Sequence, residues 1–351
     1  MRIKIYYGAP KMRRFIGSVL LSTLLIYSAI GCTPKSDNND SLSLLLLGGL
    51  ASSATSGGNL NCQNKTLNWT IQNPAATNSW RSVIFENSQY VAVSDGAAAS
   101  MVMTSPDGIT WTARSAPIGG AWTSVTYGNG LYVTVSPSVA NRVMTSPDAV
   151  TWTGRNASTN TTWFSVTYGN GLFVAVSTAG AIMTSPDGIT WTAGTGATAS
   201  GASVTYSNGL FVAVGSTGAI MTSPDGITWT ARSAAENNNW SSVTYGNGQF
   251  VAVASSGNNS VMTSPDGITW TLRSAAEGNS WASVIYGNGL FVAVSQDGTN
   301  RIMTSEDGIT WKAQLAPDQI IWKSITFGNN RFVAVSATSG VTNKVMTADC
   351  N

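Results

Sequence analysis

One pattern recurs seven times along this chain and constrains the fold more than any other feature. A complete copy begins with W-T-S-V-T-Y-G-N-G-L-Y-V-T-V-S at Trp122 and ends with R-V-M-T-S-P-D-A-V-T-W-T at Thr153. The copies begin at Trp80, Trp122, Trp163, Gly201, Trp240, Trp281 and Trp322, giving spacings of 42, 41, 38, 39, 41 and 41 residues. A period near forty residues is typical of repeat proteins in which each unit is one small block of secondary structure.

Each unit contains four segments typical of β-strands, which we name A to D. In the third unit, S-V-T-Y (A) and L-F-V-A-V-S (B) are rich in β-branched and aromatic residues. Asn170 and Gly171 between them favour a two-residue type I′ hairpin turn. A loop of variable length precedes A-I-M-T-S (C), and a Pro-Asp-Gly turn at residues 186–188 leads into I-T-W-T (D). The sequence therefore predicts four antiparallel strands per unit.

Strand B is apolar on both of its faces. Phe173 and Ala175 alternate with Val174 and Val176, so both faces of this sheet are predicted to be covered by other sheets. Seven small sheets that each pack between two others form a ring. The sequence thus predicts an all-β fold, a seven-bladed β-propeller with four antiparallel strands per blade.

The two ends of the repeat region are complementary. The segment L-N-W-T at residues 67–70 matches a D strand but follows no A, B or C strand, and the last unit ends before any D strand. We predict that the N-terminal strand completes the last blade, which removes the unpaired edges at the seam. Cys62 and Cys350 flank this junction, and we expect them to form a disulfide in an oxidising compartment.

The N-terminal region has the pattern of an export signal. Residues 1–14 carry five basic and no acidic residues, and an apolar run follows up to Gly31. The sequence Ala29-Ile30-Gly31-Cys32 resembles the cleavage box of bacterial lipoproteins, which implies a signal peptide at 1–31, lipidation of Cys32 and a membrane anchor. A plain secretory signal with an incidental cysteine is the alternative. Met12 would open a shorter signal of the same kind.

The rest of the chain divides into a predicted tether at 32–61 and a propeller at 62–351. The tether is polar and rich in Ser and Gly, apart from Leu44 to Leu47, which either lie on the membrane or pack on the propeller. Without residues 1–31 the chain has thirteen basic and sixteen acidic residues, a net charge of −3. We therefore expect no nucleic-acid partner. The prediction is a monomer in the cell envelope, anchored to the outer membrane.

The S-P-D-G-I-T-W motif of the C–D turns resembles the Asp-box of sialidase-like propellers, with one residue fewer between the aspartate and the glycine. This resemblance implies a structural hairpin away from any active site. Aspartate side chains in turns accept hydrogen bonds from nearby backbone N–H groups. We therefore expect a structural role for the aspartates at this position, which are Asp107, Asp148, Asp187, Asp225, Asp266 and Asp307.

All thirteen tryptophans occupy two positions of the repeat, the start of strand A and strand D. Such regularity predicts packing between blades. The alternative is that the six strand-A tryptophans form a ring of platforms for stacking sugars.

Catalysis has little support in the sequence. The chain contains no histidine, which excludes histidine triads and histidine-ligated metals. A sialidase-type reaction would need an arginine cluster and a tyrosine–glutamate pair, and the arginines match no family motif. Hydrolysis of glycans by paired carboxylates stays open as an alternative. We expect no catalytic residues, no metal and no cofactor.

The loops that vary between units indicate where a partner binds. The B–C loops and the D–A links differ in length and chemistry and are predicted to share one face of the ring, and loops on a rigid scaffold often carry recognition. Three B–C loops end in an asparagine followed by a cation. The candidate binding residues are therefore Arg142 (after Asn141), Asn300, Arg301, Asn343 and Lys344, whose alternative role is that of solvated loop residues. The predicted function is binding of a protein or glycan partner, with an extracellular glycosidase or a structural envelope protein as alternatives.

Overall fold

The computed structural model describes residues 61–96, 100–195, 200–257, 259–338, 340–342 and 344–350. These residues form seven four-stranded antiparallel sheets, the blades of a β-propeller. The predicted fold class is confirmed. The signal peptide, Cys32, the tether up to residue 60, and Asn343 lie outside the described residues. Within the described part of the chain, no helix is long and apolar enough to cross a membrane.

Blades 1 to 6 each consist of four consecutive strands, and blade 7 combines the two ends of the chain. The strands of blades 1 to 3 are β2 (Ser79–Glu86), β3 (Gln89–Asp95), β4 (Val102–Ser105), β5 (Thr112–Arg114), β6 (Ser124–Gly128), β7 (Leu131–Val135), β8 (Val143–Ser146), β9 (Thr153–Arg155), β10 (Trp163–Gly169), β11 (Leu172–Ser177), β12 (Ile182–Ser185) and β13 (Thr192–Ala193). Those of blades 4 to 7 are β14 (Ser203–Ser207), β15 (Leu210–Val214), β16 (Ala219–Ser223), β17 (Thr230–Ser233), β18 (Trp240–Gly246), β19 (Gln249–Ala254), β20 (Val261–Ser264), β21 (Thr271–Arg273), β22 (Trp281–Gly287), β23 (Leu290–Ser295), β24 (Ile302–Ser305), β25 (Lys312–Gln314), β26 (Trp322–Gly328), β27 (Arg331–Ser336), β28 (Val345–Asp349) and β1 (Thr70–Gln72). The A strands of neighbouring blades contact one another, so they surround the central channel.

Blade 7 closes the ring in the predicted way. Strand β1 pairs antiparallel with β28, with Thr70 opposite Thr347 and Ile71 opposite Met346. Next to this pairing, a disulfide joins Cys62 to Cys350 across a sequence separation of 288 residues. Strand pairing and a covalent bond therefore hold the two ends of the domain together.

The core lies between the blades, because each sheet is apolar on both faces. In one representative layer, Val133 and Val135 of blade 2 pack against Trp163, Phe173 and Met183 of blade 3. All six strand-A tryptophans are completely buried. They therefore cannot stack sugars, and the packing interpretation is the correct one for them.

Each strand-A tryptophan also fixes the D–A link that precedes it. Its indole Nε1–H donates a hydrogen bond to the carbonyl four residues earlier, for example from Trp163 to Thr159 at 3.1 Å and from Trp281 to Glu277 at 3.1 Å. The same bond forms in all six blades that carry this tryptophan. A buried indole with its N–H satisfied thus orders one link of the loop face in each of these blades.

Blade 4 has Gly201 in place of the tryptophan, and the sequence predicts looser packing there. In the structure a cavity of only ≈ 10 Å³ remains beside Gly201, because the side chain of Val176 from blade 3 fills the space. A Cβ atom at Gly201 would lie 2.8 Å from Val176 Cβ. A second glycine, Gly215, lets the backbone of Ser200 approach, since a Cβ there would lie 1.4 Å from the Ser200 carbonyl oxygen. Together, the two glycines allow blade 4 to pack closely at the position where the other blades have a tryptophan side chain.

Candidate binding face and channel mouth

The A–B turns of all seven blades and the C–D turns of blades 1 to 6 occupy one face of the ring, which we call the turn face. Each kind of turn has nearly the same geometry from blade to blade. Asn129 (φ 48°) and Gly130 (φ 76°) show the left-handed pair of a type I′ turn. In the C–D turn of blade 2, Asp148 Oδ1 accepts the backbone N–H groups of Val150 at 2.8 Å and Thr151 at 2.7 Å. Ser146 Oγ donates to the same carboxylate at 2.9 Å.

The remaining turn aspartates accept the same hydrogen bonds, so all six carboxylates are hydrogen-bonded to the backbone of their own turns. The backbone N–H groups of Thr151 and Val150 lower the pKa of Asp148 to about 2. The equivalent donors from Thr228 and Ile227 lower the pKa of Asp225 to about 2. These carboxylates therefore stay ionised as hydrogen-bond acceptors for the turn backbone.

The B–C loops and D–A links lie on the opposite face, which we call the loop face. Backbone hydrogen bonds join the two sets: Gly218 N–H donates to Asn238 O, and Gln296 N–H donates to Ser280 O, both at 2.9 Å. A depression of ≈ 440 Å³ opens on this face. Its lining residues come from strand A, the D–A links and the B–C loops, and include Phe164, Thr178, Asn239, Gln296 and Lys323.

Two of the predicted binding cations hold the loop face together. Arg301 donates from Nη1 to the carbonyls of Gln296 at 2.9 Å and Ile320 at 2.8 Å, which ties the B–C loop of blade 6 to the next D–A link. Lys344 is fully buried, and its Nζ donates to the carbonyls of Thr77 and Asn78, both at 2.6 Å. Burial lowers the pKa of the Lys344 ammonium, although Asp95 opposes this effect.

The other predicted binding residues are also engaged in contacts between loops. Arg142, in blade 2, donates from Nε to Asn160 Oδ1 at 3.2 Å and from Nη1 to the Pro137 carbonyl. Asn300 donates from its backbone N–H to Glu277 Oε2 at 3.2 Å, and its side-chain amide donates to Glu277 Oε1. The predicted cations therefore do not meet as one free patch, because the three that are described each bind backbone carbonyls near their own loop.

The central channel opens onto the loop face through a mouth that the sequence analysis did not single out. Each blade contributes two adjacent residues at or just before the start of strand A to a cavity of ≈ 120 Å³, a serine and the residue before it. The residues that precede the serines are Arg81, Thr123, Phe164, Ala202, Ser241, Ala282 and Lys323. The signal in the sequence was a variable position between a nearly constant tryptophan and a constant serine.

The serines of this mouth form a closed ring of contacts between blades. Each Oγ accepts the backbone N–H of a residue in the next blade, for instance Ser165 from Val204 at 3.1 Å and Ser324 from Val83 at 3.1 Å across the seam. The equivalent bonds of Ser82, Ser124, Ser203, Ser242 and Ser283 complete the set at 3.1–3.3 Å. One backbone N–H of each strand A is satisfied in this way.

Two cations stand next to each other at the mouth, because blades 7 and 1 are neighbours. Arg81 forms an ion pair with Asp95, with Nε 2.6 Å from Oδ2. The side chain of Lys323 has no hydrogen bond or ion pair with any residue that the structure describes. Burial lowers the pKa of the Lys323 ammonium, and the positive charge of Arg81 lowers it further. In the described part of the chain, no three residues of the types His, Cys, Asp and Glu are placed to hold a metal.

Comparison with known proteins supports the fold. The family model described as the DUF6242 beta propeller domain matches residues 63–202, which extend from the N-terminal segment to the start of blade 4. No curated protein matches the sequence.

Solved structures with this fold have varied roles. A streptogramin B lyase aligns with a TM-score of 0.71 at 12% identity, over 81% of this chain and 98% of that chain. YCF48 bound to a D1 peptide aligns with a TM-score of 0.63 at 16% identity, over 80% and 96% of the two chains. The WD40 propeller of Doa1 aligns with a TM-score of 0.62 at 14% identity, over 80% and 97%. At these identities the likeness describes the fold alone.

Proposed function

We propose that this chain is an exported, non-catalytic binding protein, anchored by lipid at Cys32, that holds a macromolecular partner on its loop face. The observation that carries this proposal is the contrast between the two faces of the ring. The A–B turns of the seven blades and the C–D turns of blades 1 to 6 repeat nearly one geometry each, whereas the loop face varies and contains the open depression of ≈ 440 Å³. A scaffold that fixes variable loops is a common basis for recognition.

The chemistry of the depression favours binding over hydrolysis. Among the described residues that line it, the polar groups are hydroxyls, amides and the Lys323 ammonium, and none is a carboxylate. Glycoside hydrolysis by paired carboxylates needs two such groups at the scissile bond. Glu277, the carboxylate of the blade 6 link, accepts hydrogen bonds from Asn279 and Asn300. It serves as a contact within the loops.

The solved structures with a similar fold include both a peptide-bound protein and an enzyme. YCF48 is recorded with a bound D1 peptide, so a propeller of this shape can hold a peptide. The streptogramin B lyase shows that the same fold also supports catalysis. For this chain, its own loop face therefore supports the binding role.

The described part of the chain begins on the turn face. Cys62 N–H donates to the carbonyl of Asn288, and Cys350 N–H donates to the carbonyl of Asn330, both in A–B turns. The first described residues of the propeller therefore lie on the turn face, opposite the loop face on which we propose that the partner binds. The Cys62–Cys350 disulfide is suited to an oxidising compartment outside the cytoplasm.

A loop replacement tests the proposed function. Residues 296–300 are exchanged for Thr-Ala-Gly, the short loop of blade 3, and residues 337–343 are exchanged in the same way. We expect the variant to fold and to lose its partner in envelope-protein capture and glycan-array assays, because the loop surface is gone while the blades remain.

The matched control changes the turn face. Replacing Asn247 and Gly248 of an A–B turn by two alanines should lower stability, since both positions have positive φ, and should leave partner binding unchanged in the folded fraction. Partner binding that survives both loop exchanges would contradict the proposal. Mapping of acyl chains to a residue other than Cys32 would contradict the anchor.

A further inference from the structure

The residue between the tryptophan and the serine of strand A is placed at the channel mouth by a backbone irregularity. In blades 1, 3, 5, 6 and 7 the A–B register shifts between these two positions, which makes the intervening residue a β-bulge. A bulge leaves one residue unpaired and re-aims its side chain. The tryptophan and serine keep their packing roles, and the extra residue is free to differ from blade to blade.

Among the residues that precede the serines at the channel mouth, Lys323 carries a charge whose burial is not offset by any described contact. Its side chain is partly buried at the mouth, it has no partner among the described residues, and Arg81 of the adjacent blade is also positive. A buried charge without a partner destabilises a fold. By contrast, the guanidinium of Arg81 is paired with Asp95, and the ammonium of Lys344 is capped by two carbonyls. Lys323 is therefore poorly explained by a role in folding.

The serine ring adds hydrogen-bond donors around the same point. Each serine Oγ already accepts a backbone N–H from the next blade, as Ser324 does from Val83 and Ser283 from Ile325. A hydroxyl that accepts one hydrogen bond still has its own proton to donate. The mouth thus combines the serine hydroxyls that line it with an ammonium that has no partner among the described residues, and no carboxylate is among its described lining residues.

We propose that the channel mouth binds a carboxylate of an acidic peptide segment, with Lys323 as the direct ion-pair partner, Arg81 as a neighbouring positive charge and the serine hydroxyls as donors. This inference rests on the proposed binding function and names the chemistry of the partner at the centre of the loop face. The ammonium and the carboxylate form a charge-assisted hydrogen bond, which is stronger than a neutral one.

The shape of the mouth favours a peptide over a glycan. Its volume of ≈ 120 Å³ is well below the roughly 300–1,000 Å³ of pockets that enclose whole small molecules, so it suits one carboxylate side chain. The strand-A tryptophans are buried and offer no stacking surface for a sugar ring. The larger depression beside the mouth, with Phe164 and Gln296 on its walls, can hold the flanking peptide.

The test measures binding of a fluorescein-labelled hexaglutamate peptide to the exported protein by fluorescence anisotropy. Hexaglutamine and an oligogalacturonate serve as comparison probes. We expect hexaglutamate to bind at least roughly tenfold more tightly than either probe, and to weaken as ionic strength rises from about 0.01 M to 0.15 M. The net charge of −3 predicted for the processed chain opposes nonspecific attraction of this anion.

The decisive variant is Lys323→Met, with Lys312→Met as the matched control. Lys323→Met should weaken hexaglutamate binding by roughly tenfold or more. It should not lower the unfolding midpoint, because it removes a charge that burial disfavours. Lys312, exposed on outer strand β25, should be replaceable without effect. In the wild type, saturation with hexaglutamate should raise the pKa of the Lys323 ammonium, measured by the NMR signal of its Cε.

Several outcomes would overturn the inference. Unchanged hexaglutamate affinity in Lys323→Met would exclude Lys323 as the ligand. Tighter, Lys323-dependent binding of oligogalacturonate would assign the carboxylate to a glycan and contradict the peptide. If the loop exchange abolishes partner capture while Lys323→Met leaves capture and hexaglutamate binding intact, the proposed function stands and this inference fails.

Discussion

The turn aspartates stabilise the propeller one residue at a time, each through its own hairpin. The carboxylate of Asp148 accepts two backbone N–H groups and one serine hydroxyl within a span of six residues. Because the charged form is the better acceptor, these bonds hold the pKa of the group near 2. The bonds are local, so their loss should not depend on neighbouring blades.

Stability should therefore fall in acid as these groups titrate. The folded-state pKa of Asp148 is about 2, below its ordinary value of 3.8, so its contribution is complete above pH 3.8 and is lost as the pH falls towards 2. We expect the urea midpoint of Asp148→Ala to lie below that of the wild type at pH 6, and the two midpoints to converge near pH 2. A constant gap between the curves from pH 6 to pH 2 would contradict this linkage.

Residue roles could be predicted where the relevant contact is local in sequence. The aspartate and asparagine–glycine turns involve residues within a few positions of each other, so the motif contains most of the information. The roles of Arg301 and Lys344 could not be found in this way, because their acceptors are carbonyls about twenty residues away and at the opposite end of the domain. The sequence does not distinguish a free cation at the end of a loop from one that is hydrogen-bonded to distant backbone carbonyls.

At the scale of the strand, two adjacent residues of strand A have different roles. Its serine joins each blade to the next, and the residue before it faces the channel mouth. The repeat predicted the strand and its hairpin, since these follow from local pattern. The β-bulge between the tryptophan and the serine of strand A was not predicted. It arises from the register of strand A on strand B within the closed ring.

Ser165→Ala tests the contacts between blades. The substitution leaves the N–H of Val204 buried without its acceptor, and a lost buried hydrogen bond typically costs about 1–3 kcal/mol. We expect the free energy of unfolding, measured in urea, to fall by that amount. Ser233→Ala, at an exposed position at the end of strand D, is the control and should have little effect. Equal losses in both variants would show that the serine ring does not join the blades.

At the scale of the whole molecule, the ring is closed twice at one seam. The three backbone pairs between β1 and β28 complete blade 7, and the disulfide locks the chain ends beside it. The complementary half-blades made this closure predictable from the sequence. The arrangement also places the start of the described propeller on the turn face.

Loss of the disulfide should lower the stability of the whole propeller. Reopening a loop of 288 residues returns conformational freedom mainly to the unfolded chain, for which the chain-entropy model gives about 5 kcal/mol. Cys350→Ser should therefore lower the unfolding midpoint strongly without changing the β-sheet circular dichroism of the folded protein. Because the constraint is shared, Cys62→Ser and the double variant should match Cys350→Ser. A double variant that is clearly less stable than either single one would mean that the thiols act through separate contacts. Intact stability in all three would mean that strand pairing alone closes the ring.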